Sequence, residues 1–401
     1  MTAECNFLLR PARAWTDGAV HEGWAVLVRG NRIVAVGATV DAGDAQVIDL
    51  AGLTLLPGLM DLHSHLFLHP YNETSWDDQV LKQSEAARTI RAVRHAEATL
   101  RAGFTTLRDL GTEGAGYADV ALKRAIEDGI VPGPRLFVAT RAIVATGSYG
   151  PARAKFRPNC CFPQGAEEAS GVDEIVRAVR HQASHGADWI KLYADYRAGP
   201  NGETVATFSV DELKALVETA HSLGRPVAAH ATSDEGMRRA ALAGVDTIEH
   251  GYGGTAATFA LMAKNNIALL PTLTASEAIC EYFLGHKRGG EPHPRMVEAA
   301  NGFRTARAEG VVIGCGSDVG VFAHGTNLRE LEWMAKLGMS ANDILLAATA
   351  INAKILRREH ELGSIRENYL ADLIAVDGDP SRDLSKLAKV SFAMKGGTVF
   401  S

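Results

Sequence analysis

The strongest constraint on the fold is a regular alternation of short apolar runs with amphipathic stretches through the middle of the chain. Eight runs have the length of a strand: LMDLHSHL, TTLRDLG, RLFVATR, WIKLYA, PVAAHA, TIEHG, ALLPTLT and VIGCGSD. Most are separated by stretches with helical spacing of apolar residues, such as DEIVRAVRHQASHG and SVDELKALVETAHSLG. Strand–helix alternation over roughly 250 residues has the size and rhythm of a (β/α)8 TIM barrel, an α/β fold.

An open doubly wound sheet would show a similar alternation. That alternative is weakened because no G-x-G-x-x-G follows the first strand. The two ends of the chain instead resemble each other. Alternating apolar residues and a Gly30–Asn31 turn near the start predict short strands, and SFAMKGGTVFS at the end has the same texture. We therefore predict a composite β-sandwich domain from residues 1–57 and 357–401, and a barrel domain from residues 58–356.

Composition excludes several classes of protein. The 401 residues are 46% hydrophobic and 22% charged, with a formal net charge of -6, so the chain lacks the basic footprint of a nucleic-acid binder. No apolar run approaches the length that spans a bilayer. The sequence predicts no nucleic-acid and no membrane partner. We expect a soluble cytoplasmic protein, or a secreted or periplasmic one if a leader has been removed.

The cysteines predict neither a disulfide framework nor a cysteine-built zinc site. There are five, an odd number, and no C-x-x-C pair occurs. Cys160 and Cys161 are adjacent, so a bridge between them would be strained. Free thiols in a reducing compartment are the expectation.

Polar residues of one chemical type follow several of the apolar runs. His63 and His65 lie two apart on the first central strand, so both point to the same side of it. His230, His250 and Asp318 each end a later run. A packing histidine explains any one of these positions, but the carboxyl ends of barrel strands are where catalytic residues gather. The combination predicts a metal site, because imidazole and carboxylate are ligands of divalent cations.

Lys191 lies within the fourth run, in ADWIKLYAD. An isolated lysine there would be expected to extend its amine to water. Among four histidines and an aspartate on neighbouring strands, a different role is favoured. A neutral amine can add CO₂ to form an anionic carbamate with two oxygens, which can bridge two cations roughly 3.5–4 Å apart.

In these motifs the sequence resembles the amidohydrolase superfamily. The matching pieces are PGLMDLHSHL, WIKLY, His230, TIEHG and GSD, and the resemblance covers nearly the whole chain. Their order is that of the binuclear subtype with a carboxylated lysine. The resemblance implies that His63, His65 and Asp318 hold the more buried metal, that His230 and His250 hold the more exposed one, and that Lys191 bridges them.

The resemblance implies a cofactor and a mechanism. Two divalent ions are expected, and zinc is favoured although cobalt or manganese would suit the same ligands. A hydroxide between the metals would attack a carbonyl polarised by the metal at His250, and Asp318 would move the proton to the leaving nitrogen. Asp318 and His250 are therefore the expected catalytic residues. Relatives are commonly oligomeric, so a homo-oligomer is expected.

Within the superfamily the chain is most similar to the peptidase-like branch, which includes Xaa-Pro dipeptidases, carboxypeptidases and ochratoxin-type hydrolases of N-acyl amino acids; imidazolonepropionase is more distant. Many of these relatives carry Gly-Gly-His after the third strand, where this chain has TGSYGPAR with Tyr149. Some have a tyrosine after the residue matching His230, where this chain has ATS. Tyr149 itself is a candidate for substrate contact, and Tyr193, Tyr196 and Arg197 are further candidates, with His324 later in the chain.

The expected activity is hydrolysis of a peptide or N-acyl amino acid amide bond in a small-molecule substrate, releasing a C-terminal amino acid. A cyclic amide hydrolase or a ring deaminase is the alternative, because the same metals serve either reaction. A non-catalytic binding protein on a decayed barrel is disfavoured, since all six ligand positions are filled.

Overall fold

The structure is a computed structural model that describes residues 6–400 apart from the side chain of Lys155. The chain opens with five strands: β1 (Asn6–Thr16), β2 (Ala19–Glu22), β3 (Ala25–Arg29), β4 (Arg32–Gly37) and β5 (Gln46–Pro57). The predicted turn at Gly30–Asn31 joins β3 and β4, which pair in antiparallel fashion from Arg29 and Arg32 outward.

Eleven short strands follow, and most alternate with helices. The strands are β6 (Leu59–Ser64), β7 (Phe104–Asp109), β8 (Arg135–Val138), β9 (Ile143–Val144), β10 (Glu167–Glu168), β11 (Ile190–Tyr193), β12 (Asp195–Tyr196), β13 (Val205–Ala206), β14 (Val227–Ala231), β15 (Thr247–His250) and β16 (Ala268–Leu270). The helices are α1 (Trp76–Lys82), α2 (Glu85–Arg101), α3 (Ala118–Glu127), α4 (Val172–Ser184), α5 (Val210–Ser222), α6 (Asp234–Ala243), α7 (Ala256–Lys264), α8 (Leu273–Phe283), α9 (Pro294–Ala308), α10 (Leu328–Lys336), α11 (Ala341–Leu346) and α12 (Asn352–Ile355). Ser209 and Glu212 form the predicted capping box at the start of α5.

The central strands form two parallel sheets that lie edge to edge, with a gap in the strand pairing at each of the two junctions. One has the order β6-β7-β8, and the other has the order β10-β9-β11-β14-β15-β16. Across one gap, Trp189 N donates to the Val138 carbonyl at 3.2 Å. Across the other gap lies the segment 311–319, which bonds to β16 through Leu269 N and the Val312 carbonyl at 2.9 Å, and to β6 through Asp318 N and the His63 carbonyl at 2.7 Å.

This arrangement is a TIM-barrel-like α/β fold. Over residues 6–400 the two sheets do not close into one eight-stranded barrel: β8 is not paired with the second sheet, and the segment 311–319 makes only isolated bridges, Leu269 with Ile313 and Ser64 with Val319, rather than a regular strand. Its glycines explain the irregularity: a Cβ at Gly316 would lie 3.0 Å from the Cβ atoms of His63 and Leu270, and one at Gly314 would lie 2.7 Å from Asn352. The segment therefore packs by close backbone approach, which regular pleated side chains would prevent.

Both ends of the chain contribute to one further sheet. The last strands are β17 (Leu373–Asp377), β18 (Val390–Lys395) and β19 (Thr398–Val399), and the sheet order is β19-β18-β17-β5-β1-β3-β4 with β2 on β1. The prediction that both termini build one β-module is confirmed, but as a single eight-stranded sheet. At its far edge, Ile33 N donates to the Tyr369 carbonyl at 2.9 Å, just before β17 begins. The sheet thus bends back on itself around an apolar core that includes Leu9, Val26, Leu55 and Phe392.

No helix in the described part of the chain combines the length and apolar character that crossing a bilayer requires. The cysteines at 160, 161, 280 and 315 are unbridged, with the first two exposed and the last two buried. Cys5 lies outside the described residues.

Candidate active site

The six predicted ligand residues come together at the carboxyl ends of the central strands. We call them the ligand cluster: His63 on β6, His65 just after it, Lys191 on β11, His230 on β14, His250 at the end of β15, and Asp318 in the segment 311–319. Parallel strand register places Tyr193 opposite His230, and Ala231 opposite His250. Six side chains separated by up to 255 positions in sequence thus share one end of the fold.

Distances within the ligand cluster suit a cation. One ligand atom from each of His63, His250 and Asp318 lies within 4.8 Å of the others. Asp318 Oδ1 lies 3.3 Å from His65 Nε2 and 3.5 Å from His63 Nε2. The ring centroids of His230 and His250 are 4.5 Å apart. Imidazole nitrogens and a carboxylate converging on one point form a donor set for a divalent metal ion.

In three of the histidines, a contact between Nδ1 and a group outside the ligand cluster fixes the orientation of the ring. Glu249 Oε2 contacts His63 Nδ1 at 2.8 Å, the Gly111 carbonyl contacts His65 Nδ1 at 2.9 Å, and Thr272 Oγ1 contacts His250 Nδ1 at 2.7 Å. These contacts leave each Nε2 directed inward, as in metal-binding histidines whose second nitrogen is held by an outer partner. His230 is held differently: its ring stacks on Tyr193 with centroids 4.4 Å apart.

Lys191 is the buried cationic side chain of the cluster. The residue is 1% exposed, and its Nζ has no hydrogen-bond partner within residues 6–400. Burial lowers the pKa of Lys191 to about 8. A buried amine without a partner is costly, which indicates that the native site supplies something for it to bind. The donors present and this orphaned nitrogen therefore fit a metal centre.

Burial, with the charge of Lys191, lowers the pKa of His63 to about 4, so its imidazole is neutral, the form that binds metal. Burial would raise the pKa of Asp318, but its hydrogen bond with His65 and the positive charges of His65 and Lys191 act in the opposite direction, and the pKa is lowered. Asp318 is therefore an ionised carboxylate that lies directly against the histidines.

A pocket of about 770 Å³ opens over the ligand cluster. Its wall includes four of the predicted substrate residues, Tyr149, Tyr193, Tyr196 and Arg197. Tyr149 donates to Glu113 Oε2 at 2.7 Å, and Tyr193 donates to Glu113 Oε1 at 3.4 Å. Burial raises the pKa of both tyrosines well above the usual value, so both hydroxyls keep the proton that they donate.

The remaining predicted substrate residue lies elsewhere. His324 is not part of the pocket wall; its Nε2 contacts the Leu68 carbonyl at 2.9 Å and its ring stacks on His95 with centroids 4.1 Å apart. The structure does not support the predicted substrate contact of His324. Its proximity to Asp318 in sequence does not bring it to the pocket wall, whose last residue along the chain is Val321.

Two carboxylates that the sequence reasoning did not single out are central to the site. Glu249 lies between His63 and Arg108, whose Nη2 is 2.8 Å from Glu249 Oε1, and all three side chains are fully buried. The position of Glu249, a charged residue inside the apolar run TIEHG, is a sequence signal that could have identified it. Glu113 accepts from Trp76 Nε1 at 2.9 Å as well as from the two tyrosines. No local pattern marks Glu113, because its partners come from distant segments.

Four residues at the site have a strained backbone. Glu113, His250, Thr272 and Asp318 all adopt left-handed conformations, with φ of 50°, 74°, 48° and 64°. Such conformations are unfavourable for residues other than glycine and persist where the surroundings enforce them.

Comparison with known proteins agrees with this geometry. The model of the amidohydrolase family matches residues 54–400. The chain belongs to the amidohydrolase family, and its relatives place it in the peptidase-like branch.

Three relatives illustrate the similarity. A solved Xaa-Pro dipeptidase with methionine bound in its active site is 32% identical, with a TM-score of 0.87, over 99% of this chain and 100% of that one. The ochratoxinase of Aspergillus niger is 29% identical over 377 residues, which is 86% of this chain and 75% of that protein. An imidazolonepropionase of Anaeromyxobacter dehalogenans is 27% identical over 389 residues, 90% of this chain and 86% of that protein.

Proposed function

We propose that the protein is a metal-dependent amidohydrolase that cleaves a peptide or N-acyl amino acid amide bond and releases the C-terminal amino acid. The observation that carries the proposal is the buried, unpartnered Nζ of Lys191 beside four histidines and Asp318 under an open pocket. Family membership supports amide hydrolysis, and the Xaa-Pro dipeptidase and ochratoxinase relatives support an amino acid as the product.

The proposed cofactor is a pair of divalent metal ions, with zinc favoured by the ligand set. His63, His65 and Asp318 would hold one ion, and His230 and His250 the other. Lys191, carboxylated on Nζ, would bridge them. The bound metals would lower the pKa of water and polarise the scissile carbonyl.

The protein's own groups would carry the proton and orient the reactants. Asp318 would accept a proton from the attacking water and pass it to the leaving nitrogen as the C–N bond breaks, which yields a carboxylic acid and an amine. His250 is the second proposed catalytic residue, since it belongs to the ligand cluster and also lines the pocket. Glu249 and Thr272 keep His63 and His250 in place through Nδ1.

The pocket wall would position the substrate. Tyr149, Tyr193 and Tyr196 offer aromatic faces and hydroxyls, and Arg197 offers a guanidinium for the substrate carboxylate. Arg197 lies over the Tyr196 ring, 5.5 Å from its centroid, which leaves the planar group partly ordered before substrate binds.

The test is to incubate the zinc-loaded protein with a mixed library of dipeptides and N-acyl amino acids, and to measure released amino acids by mass spectrometry. Release that a chelator abolishes and zinc restores is the expected result. If two metals are bound and nothing is released, the proposal fails and a cyclic amide hydrolase or ring deaminase takes its place. Asp318→Asn with full activity and both metals bound would remove the proton-transfer role.

Three architectural predictions remain proposals alongside this function. They are a (β/α)8 TIM barrel as the domain of residues 58–356, a composite β-sandwich domain from residues 1–57 and 357–401, and a homo-oligomer. Sedimentation equilibrium measures the last of these directly.

A further inference from the structure

Glu113 is a buried carboxylate that faces the pocket, and the proposed reaction gives it no role. Its side chain belongs to a residue only 2% exposed, yet it forms part of the pocket wall. Its three hydrogen-bond donors are the neutral groups Trp76 Nε1, Tyr149 Oη and Tyr193 Oη. We call the three aromatic side chains, Trp76, Tyr149 and Tyr193, the aromatic wall.

The negative charge of Glu113 lacks a direct counter-ion. Among the side chains that the structure describes, no ion pair within 4.0 Å involves Glu113. The buried guanidinium of Arg88 donates instead to backbone carbonyls, at 2.7 Å to Glu113 and at 2.9 Å to Thr112. Arg88 thus fixes the backbone that presents Glu113, while the carboxylate itself points to neutral donors. A buried charge without a paired charge is a binding group for an opposite charge.

The surroundings of the carboxylate are those of an organic ammonium site. Tyr149 lies with its ring centroid 5.1 Å from that of Trp76, 4.8 Å from that of Tyr193 and 4.8 Å from that of Tyr196. Aromatic faces attract cations, and a carboxylate adds charge and hydrogen-bond acceptors. Oε1 has the most free capacity, because its one contact is the 3.4 Å approach of Tyr193.

The position of Glu113 relative to the ligand cluster fixes which ammonium fits. Gly111, two residues before it, holds His65 through its carbonyl at 2.9 Å. Tyr193, whose hydroxyl contacts Glu113, stacks on His230. A cation at Glu113 therefore lies beside the reacting centre. In a dipeptide the α-ammonium nitrogen is two bonds from the scissile carbonyl carbon, so the amino terminus is the group that reaches this place.

We propose that Glu113 and the aromatic wall bind the free α-ammonium group of the substrate, so that the enzyme selects dipeptides over N-acyl amino acids. This inference rests on the proposed amide hydrolysis and narrows its substrate class. Glu113 acts here as a specificity residue, and its left-handed backbone, with φ of 50°, is the strain that presenting it requires.

The test compares the best dipeptide from the library with its desamino analogue, in which hydrogen replaces the α-ammonium group. The wild-type kcat/KM should favour the dipeptide by about 10- to 100-fold, the size expected for a charged hydrogen bond. Glu113→Gln, which keeps an acceptor for Tyr149, should remove most of that preference and leave the analogue nearly unaffected. Asp77→Asn is the matched control, because it removes an exposed acid next to Trp76 and should keep the preference.

The outcomes separate this inference from the proposed function. A wild-type enzyme that hydrolyses both compounds equally overturns the ammonium site and leaves amide hydrolysis standing, even where Glu113→Gln does not fold. Equal losses for both compounds in Glu113→Gln reduce Glu113 to a positioning residue and also overturn the inference. If neither compound is cleaved, calorimetry with 2-phenylethylammonium decides. Binding that Glu113→Gln loses and Asp77→Asn keeps supports the site without the reaction, and no binding to the wild type overturns it.

Discussion

The ligand cluster and the aromatic wall border the same pocket, but their polar atoms are satisfied in different ways. Each of three histidines in the cluster uses Nδ1 for a protein partner and leaves Nε2 inward, while Lys191 Nζ has no partner. In the aromatic wall the tyrosine hydroxyls and the indole nitrogen already bond to Glu113. The cluster therefore presents inward-facing donors that suit an ion, whereas the wall already satisfies its hydrogen bonds around a carboxylate that forms no ion pair within 4.0 Å among the described side chains.

This difference predicts that removing a member of the cluster abolishes chemistry, while changes in the wall alter selectivity. Buried polar groups without partners destabilise a fold, so the cluster persists because something binds there. Four substitutions, in the cluster and around it, sharpen this picture together with the Glu113→Gln test of the wall, beginning with the largest expected effect.

Lys191→Met should cost at least about 1000-fold in kcat/KM, because a thioether of similar length cannot carry a bridging anion. Elemental analysis should show fewer than two metals per chain. Lys214→Met, on the exposed face of α5, is the control and should change neither measurement. Full activity with two metals in the Lys191 variant would contradict the assignment of this residue.

Glu249→Gln should lower activity or metal affinity by about 10- to 100-fold, the usual cost of losing an outer partner of a metal-binding histidine. The amide no longer matches both His63 and the buried Arg108. Competition with a coloured chelator measures the affinity. Glu218→Gln on α5 is a matched change at an exposed acid, and an equal effect there would show that the loss is not specific.

Glu330 is a further buried carboxylate near the site. It accepts hydrogen bonds from the backbone amides of Leu273 and Thr274 at the start of α8, next to Thr272. Burial raises its pKa from 4.5 to about 8. Between pH 4.5 and about 8, the folded protein therefore keeps a proton on Glu330 that the unfolded chain has released. The free energy of unfolding should fall as pH rises from about 4.5 to about 8, by at most about 1.4 kcal/mol per pH unit from this group, and then level off.

Denaturant titrations of wild type and Glu330→Gln across this range measure the effect. The variant should lose that part of the pH slope, while the rest of the curve keeps its shape. An unchanged slope would mean that Glu330 is already ionised in the folded protein, which the two backbone donors would then have to stabilise.

Arg197→Ala should have the smallest effect, a rise in KM of about 3- to 10-fold with little change in kcat, because Arg197 lies at the exposed rim of the pocket. A substrate with an amidated C-terminus should not distinguish the variant from wild type if the guanidinium binds the carboxylate. A rise in KM for both substrates would assign Arg197 to general packing of Tyr196. Arg295, which also borders the pocket, would then be the next candidate.

The cluster could be predicted from sequence because each ligand lies in or at the end of an apolar run, and the carboxyl ends of the strands meet in space whatever the loops do. The aromatic wall and Glu113 could be predicted only in part. Tyr149 and Tyr193 were recognised from their distance to motifs, but Glu113 acquires its role through contacts with residues 76, 149 and 193, which no local pattern records. His324 shows the same limit, since its sequence proximity to Asp318 does not bring it to the pocket wall.

In the fold, alternation predicted the elements well and their closure less well. The run VIGCGSD reads as a strand by its apolar residues, but its glycines allow a close backbone approach that leaves only isolated bridges. Similarly, alternation at both ends predicted a shared β-module, yet it did not specify that hydrogen bonds would join all eight strands into one sheet.

The left-handed backbone at Glu113, His250, Thr272 and Asp318 has a consequence for engineering and for evolution. A sequence optimised for thermal stability alone would place glycine or asparagine at these four positions, because both tolerate that conformation better. Stabilising the protein there would therefore erase its site, a direct conflict between robustness and activity. Thermostabilising changes should be sought in the terminal sheet, none of whose described residues lines the pocket.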